Sequence, residues 1–444
     1  MNLRAEYLIL VCCGAVSAAE PVSFVKQIAP ILREKCLTCH GPEKAKGEFR
    51  MDSFELLNKP GSSKTAPVVS GAPEKSHLLE LLTTADEDDR MPQKDDALPK
   101  EQIALFERWI REGAKFDGPD TKATLASLAA FVDQPAAPAT YSAPLPITAI
   151  AFHPQGAEMA VSGYHEITIW STDNGTLLRR ITNVAQRTLA LTYSHDGKIL
   201  AAASGTPGRS GEAKLFDPAT PGLIRTLATT PDAMLSVCFS SDSTRLACAG
   251  TDNTIRIFEV QSGNLQRSIE QNADWVTSVA FSADGSNIVA ASRDKTVRIF
   301  DATTGDLETT YTGHTEPVFA AAFNLDPRHA LSGGRDRKIH IWEIKDGKKA
   351  GDLAIDAEIQ RVLVSTNGIF VAADTQIRQF SADTKRETIR TYSGHTDLVY
   401  SLALHDASAQ LASGSFDGEL RIWNIRDGTL VRKFIAAPLR LTAK

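Results

Sequence analysis

A long-period repeat constrains this chain more than any other feature. A strand ending in an aromatic residue recurs at Ile169-Trp170, Leu215-Phe216, Ile257-Phe258, Ile299-Phe300, Ile341-Trp342, Gln379-Phe380 and Ile422-Trp423. Successive aromatics are 46, 42, 42, 42, 38 and 43 residues apart. Apolar segments such as Val237–Phe239, Val279–Phe281 and Ala321–Phe323 precede them, and turn pairs such as Asp196-Gly197, Asp284-Gly285, Asp346-Gly347 and Asp427-Gly428 separate the strands. A period of about 40–45 residues with four short strands per unit is the signature of a β-propeller blade. Residues 147–435 are therefore expected to form seven blades, with 436–444 as a C-terminal tail.

Two of the repeats carry more. His314, Ser332 and Asp336 precede Trp342 by 28, 10 and 6 residues, and His395, Ser413 and Asp417 precede Trp423 by the same offsets. With Gly313 and Gly394 before the histidines, these units resemble the WD-repeat family. The resemblance implies that His, Ser, Asp and Trp form one buried hydrogen-bonded set per blade, a structural role for His314 and His395. Asp252, Asp294 and Asp374 keep only the Asp position, each with a Phe in place of the Trp.

The first part of the chain reads differently. Phe24, Ile28, Ile31 and Leu32 follow helical spacing. A second helix is expected from Pro99 to Glu112, with Ile103, Phe106, Trp109 and Ile110 on one face and Gly113 at its stop. Between them lies Cys36-Leu37-Thr38-Cys39-His40, a CxxCH pattern that matches the attachment site of a c-type haem. Two thiols at this spacing reach the two vinyl groups of one porphyrin, and the adjacent imidazole reaches the iron. Zinc needs further ligands, of which only His77 is near. A thioredoxin-like dithiol needs a βαβ setting that the flanks lack. One covalent haem c is thus expected on Cys36, Cys39 and His40. Met91, in Arg90-Met91-Pro92 before the last helix, is the expected sixth ligand; His77 and an open iron are the alternatives. Met51, patterned with Phe49 and Phe54, reads as core.

These pieces, together with Phe24–Pro30, Gly71-Ala72-Pro73 with Ser76, and Trp109-Ile110 with Gly113-Ala114, resemble the planctomycete-type cytochrome c domain. That resemblance implies a small all-α, cytochrome c-like domain over residues 20–117 and a redox role, without naming a substrate. The fold class expected is multidomain: this all-α unit, a Pro- and Ala-rich linker over 118–146 with one short helix near 125–131, and an all-β seven-bladed WD-repeat propeller.

Residues 1–19 read as a cleaved export signal, with an apolar run over Tyr7–Val16 and small residues at Ser17-Ala18-Ala19. A periplasmic location suits haem c, and no later stretch is apolar enough to span a membrane. Cys238 and Cys248 sit in apolar strands and read as small core residues, with a disulfide between them as the alternative. The net charge of −6 gives no basic footprint for nucleic acid. Six acidic residues (Asp86–Asp89 with Glu87, Asp95 and Asp96) surround Met91 against Arg90 and Lys94, a docking patch for a basic redox partner or a plain solvated loop. Blade-loop residues Arg187, Arg209, Trp275, Arg293, Arg335 and Arg361 offer a face for protein ligands or serve ordinary loop bonding. The leading expectation is single-electron transfer, with the propeller as docking platform. An interaction scaffold with a haem tether or redox sensor, and a haem enzyme such as a peroxidase, are the other readings. Nothing in the propeller supplies a nucleophile–base pair, and an electron carrier or binding protein is expected ahead of a catalyst.

Overall fold

The computed structural model describes residues 21–42, 44–93, 96–118, 121–122, 124–125, 134–383 and 385–440. The expected export signal and most of the expected 125–131 helix lie outside them. The chain divides into two compact units, at Val132/Asp133.

The first unit is built from short helices. A π-helical turn, Phe24–Ile28, runs into α1 (Ala29–Lys35), followed by α2 (Leu37–His40), α3 (Phe54–Leu57), α4 (His77–Thr83) and α5 (Lys100–Arg111). Pro99 occupies the N-cap of α5 and contributes no side-chain cap. Phe24, Ile28, Leu32, Phe106, Trp109 and Ile110 are all buried in one core, so the helical spacings predict the buried faces. Phe24 meets Phe54, Trp109 and Phe116 at ring separations of 4.9, 5.4 and 5.6 Å. Leu125 joins the same core and donates its N–H to Asp52 O at 2.7 Å, so the segment read as linker begins inside this unit.

The second unit is a seven-bladed propeller. Each blade is a four-stranded antiparallel sheet of consecutive strands, β1 (Ile150–Phe152) to β4 (Leu177–Ile181) in the first and β25 (Val399–His405) to β28 (Leu430–Ile435) in the last. The innermost strands of neighbouring blades adjoin around the ring, and β1 adjoins β25. Both faces of each blade are apolar. In β2 (Glu158–Ser162), Ala160 belongs to one inter-blade core while Met159 and Val161 belong to the other.

Residues 134–146 are not a linker. Tyr141 is buried, and its hydroxyl donates to Glu166 Oε1 at 2.5 Å while Arg180 pairs with the same carboxylate. Tyr141 also forms a parallel bridge with Leu439: its N–H reaches Pro438 O, and Arg440 N–H reaches Tyr141 O, both at 2.9 Å. The expected tail is therefore part of the closure, with Ala436 and Ala437 buried. The ring is closed by packing of blade 1 on blade 7 and by this clasp of the two ends of the propeller unit. Leu430–Ile435, not a segment before Pro144, supplies the outer strand of blade 7.

The hydrogen-bonded sets close as their spacing requires. In blade 5, His314 Nε2 lies 2.7 Å from Ser332 Oγ, His314 Nδ1 lies 2.7 Å from Asp336 Oδ2, and Trp342 Nε1 donates to Ser332 Oγ at 3.2 Å. Blade 7 repeats this with His395, Ser413 and Trp423, and with Asp417 at 3.4 Å. Cys238 pairs in register with Ala247, and Cys248 with Val237. Neighbouring register positions face opposite sides of a sheet. The two thiols therefore enter different inter-blade cores, which rules out the disulfide alternative.

Truncating Trp342 removes a fully buried ring and leaves Ser332 without a donor. Trp342→Ala is expected to destabilise the propeller by about 3–5 kcal/mol. Chemical denaturation followed by the far-ultraviolet β signal measures this; a loss below about 1 kcal/mol would show that the set does not hold the blade.

Candidate functional site

A break between two helices creates the site. Cys36 leaves helical geometry at φ −120° and ψ −33°, its N–H closing α1 on Leu32 O at 2.9 Å. Cys39 N–H and His40 N–H both return to Cys36 O, at 3.1 and 3.0 Å. Cys36 and Cys39 lie three residues apart around this turn, so their side chains share one side. Gly41 must follow, because a Cβ there would meet Leu37 O at 2.5 Å. The chain then doubles back, and Met51 N–H bonds His40 O at 3.0 Å.

His40 is oriented by its own loop. Its Nδ1 lies 3.1 Å from Phe49 O, and its ring meets the Phe49 ring edge-on at 5.5 Å. A carbonyl can only accept, so Nδ1 carries the proton and Nε2 keeps its lone pair.

Cys36, Cys39 and His40 open into a cavity of about 690 Å³. Met51, Leu78, Leu81 and Leu82 give it apolar walls, and Lys35, Lys46 and Gln93 stand among its polar lining. Another wall comes from the loops at Gly47 and Gly61, which approach so closely that a Cβ on Gly61 would lie 2.4 Å from Gly47 O. Met91 lines the same cavity, placed by its N–H on Leu81 O and by Arg90 N–H on Asp86 O, both at 2.9 Å. His77 lines it too, with Nδ1 held 2.9 Å from Glu80 Oε2. The structure thus gathers Cys36, Cys39, His40 and Met91 around one space and leaves His77 within the same walls. Met51 is both core and lining.

Sequence reasoning missed Phe49 as the partner of His40, because the contact is a backbone carbonyl. It also missed the Lys46–Phe49 and Gly61–Thr65 loops as walls; Gly47 and Gly61 were their only signals. Asp86, Glu87, Asp88, Asp89 and Asp96 are exposed, while Asp95 lies outside the described residues. On the propeller, Arg293 pairs with Asp274 at 3.3 Å and Arg335 with Glu358 at 3.1 Å, so the loop face is mixed in charge rather than basic. It carries exposed aromatics: Trp275 lies under Arg293 at 4.3 Å, and Phe416 lies beside Tyr400, over which Arg361 stacks at 5.1 Å. The central channel, about 490 Å³, is lined mostly by apolar residues of the inner strands. Among the described residues, no helix is long and apolar enough to cross a membrane.

Burial, and secondarily Cys39, pushes the Cys36 thiol up to about 12. A reactive dithiol needs the opposite shift. In the chain without a bound group, alkylation of Cys36 by iodoacetamide is expected to be slow at pH 8. It should rise about tenfold per pH unit through pH 10 as the thiolate fraction grows. A rate that plateaus near pH 8 would contradict this environment.

Comparison with known proteins places the two parts separately. Residues 36–95 match the family model described as planctomycete cytochrome C. Residues 222–259, 263–301, 305–343 and 386–424 match the WD domain, G-beta repeat. The chain is 35% identical over 71 residues to the U3 snoRNP-associated protein-like EMB2271 of Arabidopsis thaliana, covering 15% of each chain. It is 33% identical over 76 residues to WD repeat-containing protein 75 of Mus musculus, covering 17% of this chain and 9% of that one. It is 28% identical over 82 residues to the target of rapamycin complex subunit wat1 of Schizosaccharomyces pombe, covering 18% and 26%. The chain thus spans about a quarter or less of these curated relatives.

Proposed function

We propose that this chain, which joins a segment of the planctomycete cytochrome C type to a WD-repeat propeller, is an exported single-electron carrier with one covalently attached haem c. The observation that carries the reading is the shared cavity: both thiols, an imidazole with a free Nε2 and a thioether line one space of about 690 Å³. That volume lies in the range of cofactor pockets, and the apolar walls suit a porphyrin's faces.

Cys36 and Cys39 would hold the group through thioether bonds, His40 through Nε2, and Met91 through sulfur. When bound, the haem supplies an iron that passes between Fe(II) and Fe(III). The protein's work is positional. Phe49 O accepts the Nδ1 proton, which fixes the ring and raises the basicity of Nε2. Leu78, Leu82 and Met51 line the space and would shield a bound group from water, and a Met ligand favours the reduced state relative to a second His. The exposed Asp86–Asp89 run beside the Met91 loop would steer a basic redox partner, and the propeller would act as the docking platform. Export to the periplasm fits the haem attachment and the reading of residues 1–19.

A second reading, an interaction scaffold in which the haem is a tether or sensor, is favoured by the exposed Trp275 with Arg293 stacked on it and by the exposed Phe416 beside Tyr400, over which Arg361 stacks. Aromatic residues and Arg dominate binding hot spots. Partners captured equally by oxidised and reduced protein, and by Met91→Ala, would favour it.

Expression in a host able to mature c-type cytochromes tests the main reading. The chromophore should stay on the chain after acid extraction. The oxidised protein should show the weak long-wavelength sulfur-to-iron absorption. Met91→Ala should abolish that band and lower the potential, while His77→Ala should leave both unchanged. A colourless product with alkylatable thiols at Cys36 and Cys39 would overturn the proposal.

A further inference from the structure

The position two residues before each blade aromatic follows a rule. Blades 2, 3, 4, 6 and 7 place a cation there, each paired with an acid: Lys214 with Glu212, Arg256 with Asp252, Arg298 with Asp294, Arg378 with Asp356 and Arg421 with Glu419. Blade 1 has Thr168, which accepts from Trp170 Nε1 at 2.8 Å. Blade 5 alone has an imidazole, His340, in one of the two blades that also carry the full His-Ser-Asp-Trp set.

Two imidazoles therefore converge on one carboxylate. His314 Nδ1 lies 2.7 Å and His340 Nε2 3.3 Å from Asp336 Oδ2, and the side chains are 0%, 5% and 5% exposed for His314, His340 and Asp336. All three ligand atoms fall within 4.8 Å of one another. His340 Nε2 is buried and has only this loose 3.3 Å approach to Asp336, with no hydrogen bond of good geometry. A buried polar atom held so weakly is costly, which points to an occupant.

We propose that His314, His340 and Asp336 form a binding site for a divalent transition-metal ion of the zinc class within blade 5, with solvent completing the coordination. The donor set, two imidazoles and a carboxylate, is one that zinc takes. Bonds of about 2.0–2.2 Å place tetrahedral donors roughly 3.3 Å apart. The His340–Asp336 pair already has that separation, His314–Asp336 must open by about 0.6 Å, and the two imidazoles, whose ring centres lie 4.0 Å apart at 32°, must swing so that both nitrogens face one point. The outer groups are in place as well. His340 Nδ1 lies 2.6 Å from Tyr311 Oη, so a metal-bound ring can donate to it. His314 Nε2 lies 2.7 Å from Ser332 Oγ, so the ring's single proton can move from Nδ1 to Nε2 with no change in total charge.

Cobalt(II) titration of the full chain, compared with His340→Arg, tests this. Arginine is the residue that four other blades place at this position, so the fold should survive; circular dichroism checks it, and His340→Gln carries the comparison if His340→Arg does not fold. The wild type should bind one more equivalent than the variant. The added absorption should be visible d–d bands, lost on adding zinc(II), and thiol sites elsewhere cancel in the difference. Zinc(II) should raise the unfolding temperature of the wild-type propeller and not that of the variant. Equal stoichiometry and equal spectra in wild type and folded variant would overturn the proposal.

Discussion

A sheet that is apolar on both faces cannot stand alone in water, and this constraint organises the larger part of the molecule. Each blade covers one face of the next, so a row of blades always leaves two faces bare unless the row closes. Blade 7 meets blade 1 through Ala403, Ala412, Leu420 and Ile422 on one side and Phe152, Met159, Val161 and Trp170 on the other. Closure here does not exchange a strand between blades. The two ends of the propeller unit instead clasp through Tyr141 and Leu439, and Tyr141 anchors on Glu166, which Arg180 neutralises. A buried carboxylate without those partners would be costly. The clasp therefore depends on charge pairing as much as on the backbone bridge.

The small helical unit meets a different problem. It has one modest core and a cavity against it, so the walls have to be held by backbone contacts. The break at Cys36, the close pass of Gly61 on Gly47 and the bond from Met91 N–H to Leu81 O do this. One carbonyl, Phe49 O, decides which nitrogen of His40 is available. In blade 5 two rings share the Asp336 carboxylate, and their outer nitrogens meet the hydroxyls of Ser332 and Tyr311, which can donate or accept.

Much of this was legible from residue order. Aromatic spacing marks seven blades because each blade repeats one four-stranded plan, and the offsets of 28, 10 and 6 residues predict both histidine sets. Helical periodicity marks Phe106, Trp109 and Ile110 as a buried face because a helix turns at a fixed rate. The stretch from 134 to 146 misled. Proline and alanine resemble a linker in composition, yet Tyr141 is buried and bonded at both ends of its peptide unit.

The sequence by itself determined the blade count, the helical faces and the CxxCH pattern, because each rests on local spacing that a regular backbone turns into direction. Only tertiary structure decided which nitrogen of His40 is free, that Met91 and His77 share one cavity with it, that Cys238 and Cys248 part company, and that His340 meets His314. Those outcomes join positions whose separation along the chain carries no fixed geometry, so they depend on how loops and blades pack rather than on any repeat.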